Sequence, residues 1–437
     1  MDGPDETAQD RQLPTSSLAR ASKMLSLPLG AAGRQAVGLG RRLLGADAER
    51  VDAELRAAAA EQLFAVLGEL KGGAMKVGQA LSIMEAGIPE EFGEPFRDAL
   101  TKLQAEAPPL PADKVHAVLD QQLGTKWRER FREFDDTPAA AASIGQVHRA
   151  VWSDGRDVAV KVQYPGADHA LRADLKTLGR MSGLIQKLSP GTDVKAMVDE
   201  LIDRTDAELD YLGEAEHQRA FAKAFDGDPN FLVPKVVASA PKVVVSEWVN
   251  GIPLSRLITE GSQEERNAAA ARMAEFEISS PYRVGLLHGD PHPGNFFIAD
   301  DGRFGVLDFG AVGVYPDGLP PETGPIFKLA RDRSYDELRD LLVATDFIRP
   351  SHAAKVTPDD LEAYLKPFVD PLYTDEFHFT RQWLQRAAGN ATDLRGDVYK
   401  TSRNLNVPKN FVMVFRVLLG CVGIAAQLEA YAPYRAI

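Results

Sequence analysis

The sequence predicts an α+β protein of two lobes, on three observations. Helix-like and strand-like periodicities occupy separate stretches of the chain; a strand-rich stretch carries one prominent helical segment; and a long, mainly helical remainder is broken only by one short hairpin pattern. The 437 residues are enough for two lobes with real cores. Hydrophobic residues at 44% and charged residues at 26% are the proportions of a soluble globular chain, and they exclude wholesale disorder, a collagen-like repeat or a polytopic membrane protein. No internal repeat is found.

In chain order, residues 1–45 form a basic segment: between Arg11 and Gly45 there is no Asp or Glu, but there are Arg11, Arg20, Lys23, Arg34, Arg41 and Arg42. It reads as a flexible tail, with a lipid-touching amphipathic stretch or a targeting peptide as the alternatives. Its apolar runs are too short and interrupted for a secretory leader, so no signal peptide is expected. Residues 46–130 form an N-terminal helical section, with Leu55, Leu63, Leu67 and Leu70 at three-to-four spacing. Pro108, Pro109 and Pro111 break it before a short helix over 112–123.

Residues 131–250 change texture. The runs SIGQVHRAVW and DVAVKVQY, separated by Ser153-Asp154-Gly155, predict a hairpin. Helix returns from 167 to 225, and strand-like runs follow over 231–237 and 242–249. Residues 251–437 are mainly helical, interrupted by two short strands around Asp300-Asp301-Gly302. The apolar run 411–426 contains Arg416, Gly420 and Gly423 and falls short of the ~20 clean apolar residues of a span, so a buried helix is expected and no transmembrane helix.

The formal charge is 50 − 63 = −13, the wrong sign for gripping nucleic acid over a broad surface, and no nucleic-acid partner is expected. The single cysteine, Cys421, excludes an intramolecular disulfide framework and a cysteine-rich zinc site, and it fits a reducing, cytoplasmic setting.

The densest chemical signal is His288-Gly289-Asp290-Pro291-His292-Pro293-Gly294-Asn295, followed after the hairpin by Asp308-Phe309-Gly310. An Asp and an Asn five apart on one loop, with a second Asp at a nearby strand end, offer oxygen ligands for Mg²⁺ and a carboxylate facing an attacking hydroxyl. The competing readings are a Pro/Gly turn with capping Asp and Asn, and a metal site of His288, Asp290 and His292. Upstream, Val158-Ala159-Val160-Lys161 ends a strand with a lysine suited to nucleotide phosphates, provided a helix carboxylate holds it. Glu208, Asp210, Glu214 and Glu216 compete for that role, and Glu214 is favoured. Glu247 and Val249 lie at the link between lobes, where backbone groups can pair with an adenine edge. No Ala-Pro-Glu follows Asp308-Phe309-Gly310, and Pro316 arrives soon after, so a peptide-docking segment is missing or much shortened.

Together with Lys76-Val77-Gly78-Gln79, the run Ala139, Ala140, Ala141, Ala142, Ser143 leading into Gln146-Val147-His148-Arg149-Ala150, and Glu208-Leu209-Asp210, these motifs occur in the order of the UbiB/AarF/ADCK family of atypical kinase-like proteins. The chain resembles that family over residues 46–314. The resemblance implies a bilobal protein-kinase-like fold with an N-terminal helical extension over the active-site cleft. It implies that Lys161 contacts phosphates, Glu214 anchors it, Asn295 and Asp308 hold Mg²⁺, and Asp290 is the catalytic-loop carboxylate. The Ala139–Ser143 loop, Glu247 and Val249 complete the ATP/ADP site. Lys76 joins the catalytic set, and Lys76, Gly78 and Gln79 reach toward Glu208 and Asp210 as a regulatory cover. Alanine disfavours positive φ, so this loop should flex around phosphates differently from a glycine loop.

The family's activity implies a Mg²⁺-dependent ATPase or atypical kinase supporting isoprenoid quinone biosynthesis or membrane lipid homeostasis, peripherally associated with anionic lipid membrane and acting on quinone or lipid precursors. Two alternatives stand beside it: a small-molecule phosphotransferase of the aminoglycoside or choline kinase type, and a nucleotide-gated, lipid-binding pseudokinase scaffold. The chain departs from the family pattern at Gly289, where many relatives have Ala, and at Ala105, where relatives often have Asp.

Overall fold

Valine at every second position makes the central strand of this protein: in Asp157–Gln163, Val158, Val160 and Val162 are fully buried on one face while Lys161 lies on the other. The computed structural model describes residues 110–142, 144–166, 209–392 and 396–437. Apart from Gly166, these belong to one compact unit, Gly78–Pro165 with Asp206–Ile437. The basic segment, most of the N-terminal helical section and the first part of the 167–225 stretch lie outside the described residues.

The first described helix, α1 (Ala112–Leu123), buries Val115, Val118 and Leu119 at helical spacing. Three antiparallel strands follow, β1 (Phe131–Ala142), β2 (Gly145–Trp152) and β3 (Asp157–Gln163). The expected hairpin joins β2 to β3: Gly155 takes φ +98°, and Asp154 accepts from the Arg156 amide at 3.0 Å. Helix α2 (Tyr211–Ala224) precedes β4 (Phe231–Leu232), β5 (Val236–Ala240) and β6 (Val243–Glu247). The five-stranded sheet runs β1-β2-β3-β6-β5. Its buried face packs Val158, Val160, Val162, Val243 and Val245 against Val115, Leu119 and Trp127. The 112–123 helix, placed by sequence with the N-terminal section, therefore shares the core of this sheet.

Two strand expectations are corrected. The 231–237 run is two strands in two sheets, because Pro234 has no N–H to continue a ladder: β4 pairs in parallel with a C-terminal strand, while β5 joins β6. The alanine run, read as a loop, is the end of β1, with Ala140, Ala141 and Ala142 in register with Val147, Gln146 and Gly145.

Beyond β7 (Gly251–Pro253) and α3 (Leu254–Glu260), helix α4 (Gln263–Val284) starts with a reciprocal capping box between Ser262 and Glu265 and ends at Gly285, φ +75°. Strand β8 (Leu286–His288) leads into the loop 289–295. The hairpin of β9 (Phe296–Ala299) and β10 (Phe304–Val306) turns at Gly302, φ +86°, and β11 (Val312–Val314) pairs back onto β8. A four-stranded sheet, β4-β10-β9-β7, results. Helices α5 (Thr323–Arg331), α6 (Tyr335–Ala344), α7 (Pro358–Val369), α8 (Arg381–Thr392) and α9 (Asp397–Ser402) complete the C-terminal half around α10 (Val412–Gln427).

Among the described residues, one helix, Lys409–Gln427, is long and apolar enough to cross a membrane, and 44% of it is buried inside the protein. Val414 and Val417 pack in one apolar cluster, Ile424 in a second, and Ala425 and Ala426 in a third. Phe276 of α4 is the hub of the largest cluster, its ring 5.8 Å from Phe221, 5.1 Å from Phe225, 5.6 Å from Phe231 and 6.3 Å from His288. Phe276→Ala should lower stability by about 3–5 kcal/mol, read as a lower urea midpoint at unchanged slope.

Candidate active site

Lys161 projects from the face of β3 opposite the valine core. Its Nζ donates to Glu214 Oε1 at 2.6 Å and to Asp308 Oδ2 at 3.3 Å, and it stands 5.1 Å from the centroid of the Tyr211 ring. Burial pulls the ammonium's pKa down, but the charges of Asp308 and Glu214 outweigh this and raise it well above the ordinary lysine value. Lys161 is therefore a charged lysine clamped between two carboxylates from distant parts of the chain.

The competition among helix carboxylates is resolved by the start of α2. Asp210 is its N-cap, accepting from the Gly213 amide at 3.0 Å. Glu214, one turn later, faces inward and is 4% exposed, whereas Glu216 is exposed. Gly145, opposite Gln163 on β3, has no room for a β-carbon, which would collide with the Val162 carbonyl and lie 2.9 Å from the Tyr211 hydroxyl. The start of β2 is thus pinned against the lysine strand and α2.

The loop 289–295 is built around a buried histidine. His288 Nδ1 meets Glu277 Oε1 at 3.1 Å and its Nε2 donates to the Asp308 carbonyl at 2.9 Å. Burial alone would lower the pKa of His288, but the Glu277 carboxylate and the Asp308 carbonyl raise it; burial raises that of Glu277. With both ring nitrogens engaged, His288 is not a metal ligand, and the His288/Asp290/His292 alternative is set aside. Backbone bonds join the loop to the Asp308 segment: Gly289 N donates to Ala311 O at 2.8 Å and Leu307 N to Asn295 O at 2.7 Å.

Asn295 Nδ2 donates to the backbone oxygen and to Oδ2 of Asp290, both at 3.0 Å. That fixes the amide so that Oδ1 is its acceptor. Asp308 takes φ +60°, a conformation that Asp tolerates better than most residues, and Gly310 N donates to its Oδ1 at 3.1 Å. No group of three or more His, Cys, Asp or Glu suited to a metal occurs among the described residues. An Asp and an Asn fit Mg²⁺, which takes few protein oxygens and completes its shell with water and substrate phosphates; they do not fit a structural zinc site.

Glu247 accepts from the Lys235 amide at 3.1 Å and lies 3.6 Å from Arg156, and Val249 follows β6 at the link to β7. Lys76, Gly78, Gln79, Ser143 and Glu208 lie outside the described residues. Two residues were missed by sequence reasoning. Glu277 sits in α4 among other acids, and nothing local marks it as the one facing inward. Arg416 of α10 donates to Asp290 Oδ1 at 2.8 Å across 126 residues; its only sequence signal is that of a lone charge in an apolar run.

Residues 102–325 match the family model described as the ABC1 atypical kinase-like domain. The protein named atypical kinase COQ8B, mitochondrial, of Danio rerio is 30% identical over 321 residues, covering 72% of this chain and 51% of that protein. The probable protein kinase UbiB of Azotobacter vinelandii is 29% identical over 372 residues, covering 81% of this chain and 65% of that protein. The chain spans between about half and two thirds of the length of the curated relatives it matches (51%, 64% and 47% for three of them). Several relatives, though not the bacterial ones, are mitochondrial or chloroplastic by name. Among solved structures, the complex of Rv3197 with erythromycin from Mycobacterium tuberculosis is 53% identical with a TM-score of 0.67, covering 89% of this chain and 97% of that one.

The Lys161 clamp has a pH signature. Its folded pKa is raised, so its stabilisation is fully present below the unfolded lysine value of about 10.4 and is lost as pH climbs through the higher folded value. Glu214→Gln should destabilise at pH 7 by less than the ~3–5 kcal/mol that a fully broken buried pair costs, because Asp308 still meets the ammonium. Lys161→Met/Glu214→Gln should recover part of that loss and flatten the alkaline limb, in urea titrations from pH 7 to 11.

Proposed function

Because the chain belongs to the ABC1 atypical kinase-like family and has a protein-kinase-like fold, we propose that it binds Mg²⁺–ATP in the Lys161–Asp308 cleft and transfers or hydrolyses the terminal phosphate at a membrane. The carrying observation is Lys161 held by Glu214 and Asp308 in front of the loop that bears Asp290 and Asn295. In this reading Lys161 exchanges its Asp308 contact for the α- and β-phosphates and keeps Glu214. Asp308 and Asn295 hold Mg²⁺, which when bound neutralises phosphate charge. Asp290 orients the attacking hydroxyl or water. The β1–β2 turn with Ala139–Ala142 covers the phosphates, and backbone groups at Glu247 and Val249 meet the adenine. Lys76, Gly78 and Gln79, with Glu208 and Asp210, form the regulatory cover in the same proposal.

The absence of an Ala-Pro-Glu segment after Asp308-Phe309-Gly310 favours an acceptor other than a peptide: water, or a quinone or lipid precursor. The relatives named COQ8B and UbiB support the quinone branch. The basic residues of 11–45 would hold the protein peripherally on anionic lipid.

A second reading, a nucleotide-gated binder of apolar molecules, is favoured by one further observation. Between α5, α6, α7 and α10 lies a cavity of about 110 Å³ lined by Ile326, Phe327, Leu361, Leu365, Phe368 and Leu418 among others. Thr323 also lines it, and the buried Thr323 hydroxyl has no hydrogen-bond partner. A solved relative is itself a complex with a small organic molecule, erythromycin.

The test is ATP turnover by the purified protein with Mg²⁺, with and without vesicles containing anionic lipid. Asp308→Asn should lower Mg²⁺–nucleotide affinity by at least the ~10–100-fold that loss of an outer-shell metal partner costs, and should abolish turnover. Mg²⁺–nucleotide binding with no turnover above Asp308→Asn, on either surface, would leave the gated binder as the better account. Transfer of ³²P to a soluble alcohol would move the protein to the small-molecule phosphotransferases.

A further inference from the structure

We infer that Arg416 is a catalytic residue of this site: its guanidinium, carried into the cleft by α10, contacts the terminal phosphate of bound nucleotide while bracing Asp290. The inference rests on the Mg²⁺–nucleotide reading above and adds the cation which that reading leaves unassigned at the acceptor end of the cleft.

Arg416 is the one charged residue in the 16 of α10. Its side chain is only 19% exposed, and that of Asp290 only 18%, so a guanidinium here loses most of its hydration and must be met by an anion. The contact at 2.8 Å is set by the packing around it. Three residues on one face of α10, Met413, Arg416 and Gly420, meet three consecutive residues of the loop, Gly289, Asp290 and Pro291. A β-carbon at Gly289 would lie 2.7 Å from Met413 Sδ, and one at Gly420 would collide with the Pro291 ring. A glycine on each side of the interface lets helix and loop approach closely enough to fix the guanidinium against the carboxylate.

Charge calls for such a cation. In the proposed reading Asp290 and Asp308 both face a polyanion, and the ion pairs of Lys161 at 2.6 and 3.3 Å go to Glu214 and Asp308. Residues 286–302, which contain the whole loop, hold no Lys or Arg. Without a cation beside it, Asp290 would repel the phosphate it must work against. A guanidinium presents five N–H donors in a planar fork, enough to serve a carboxylate and a phosphate at once. An arginine supplied in cis is an established way to stabilise charge on a transferring phosphoryl group. No proton leaves Arg416: the bond from the terminal phosphorus to the departing nucleoside diphosphate breaks as the bond to the incoming oxygen forms, that oxygen's proton passes to the Asp290 carboxylate, and the guanidinium donates hydrogen bonds throughout.

The test compares Mg²⁺–ATP and Mg²⁺–ADP affinity, by displacement of a fluorescent nucleotide, with single-turnover hydrolysis in the full-length wild type, Arg416→Met and Arg416→Lys. Arg416→Met should weaken Mg²⁺–ATP about tenfold or more, as for a lost charge-assisted hydrogen bond, and leave Mg²⁺–ADP within about twofold. It should also slow turnover on the order of 10³-fold. Arg416→Lys should restore part of the preference for ATP. If Arg416→Met is too unstable, Arg416→Met/Asp290→Asn removes the unmatched buried carboxylate and should show the same loss of ATP preference. Equal weakening of both nucleotides, or an unchanged ATP preference, would reduce Arg416 to a packing residue and overturn the assignment while leaving the nucleotide reading intact. Failure of the wild type to bind either nucleotide would sink the nucleotide reading, and the assignment with it.

Discussion

One buried ammonium organises this protein. Lys161 is 17% exposed, and a charge so far out of water persists only where opposite charges meet it. The two that do come from α2 and from the turn after β10, 53 and 147 residues along the chain. Closing that clamp fixes α2 against the sheet, and it fixes the Asp308 turn beneath the same strand. The cleft is therefore a consequence of how one lysine is kept charged.

Beneath the clamp, the second constraint is aromatic. The Phe309 ring, directly after Asp308, lies tilted at 4.8 Å from that of Phe221 and edge-on at 5.6 Å from that of His288, and Phe276 packs against both Phe221 and His288. His288 then holds the Asp308 carbonyl, so the residue that anchors the loop also anchors the Asp308 turn. Glu277 secures the histidine from α4. The loop, the turn and the lysine strand are thereby linked by buried groups with little freedom to move independently, the pre-organisation that phosphoryl transfer asks of a protein.

Much of this was legible in sequence because the signals are local. Val158, Val160 and Val162 announce the strand and leave Lys161 on its other face; His288 to Asn295 and Asp308 to Gly310 each sit within a single loop or turn. Glu214 stood in sequence as one of four competing acids, and its pairing with Lys161 depends on how α2 packs beside β3. The misses are non-local or concern backbone. Nothing near Glu277 or Arg416 says that they meet His288 and Asp290, since those contacts depend on how α4 and α10 pack against the loop. The alanine run looked like a loop because alanine has weak strand propensity, yet its pairing with β2 decides its state. Pro234 was in view, but its effect, sending β4 and β5 to different sheets, depends on where β10 lies.

The central claim is that Lys161, Asn295 and Asp308 form a preorganised Mg²⁺–nucleotide site. The most direct measurement is a crystal structure with Mn²⁺ and a non-hydrolysable ATP analogue, using the anomalous signal to locate the metal. The account predicts Mn²⁺ bound by Asp308 and Asn295, with the analogue's phosphates on Lys161 and the Lys161–Glu214 pair intact. Mn²⁺ or the analogue bound elsewhere, with Lys161 still paired to both carboxylates, would contradict it.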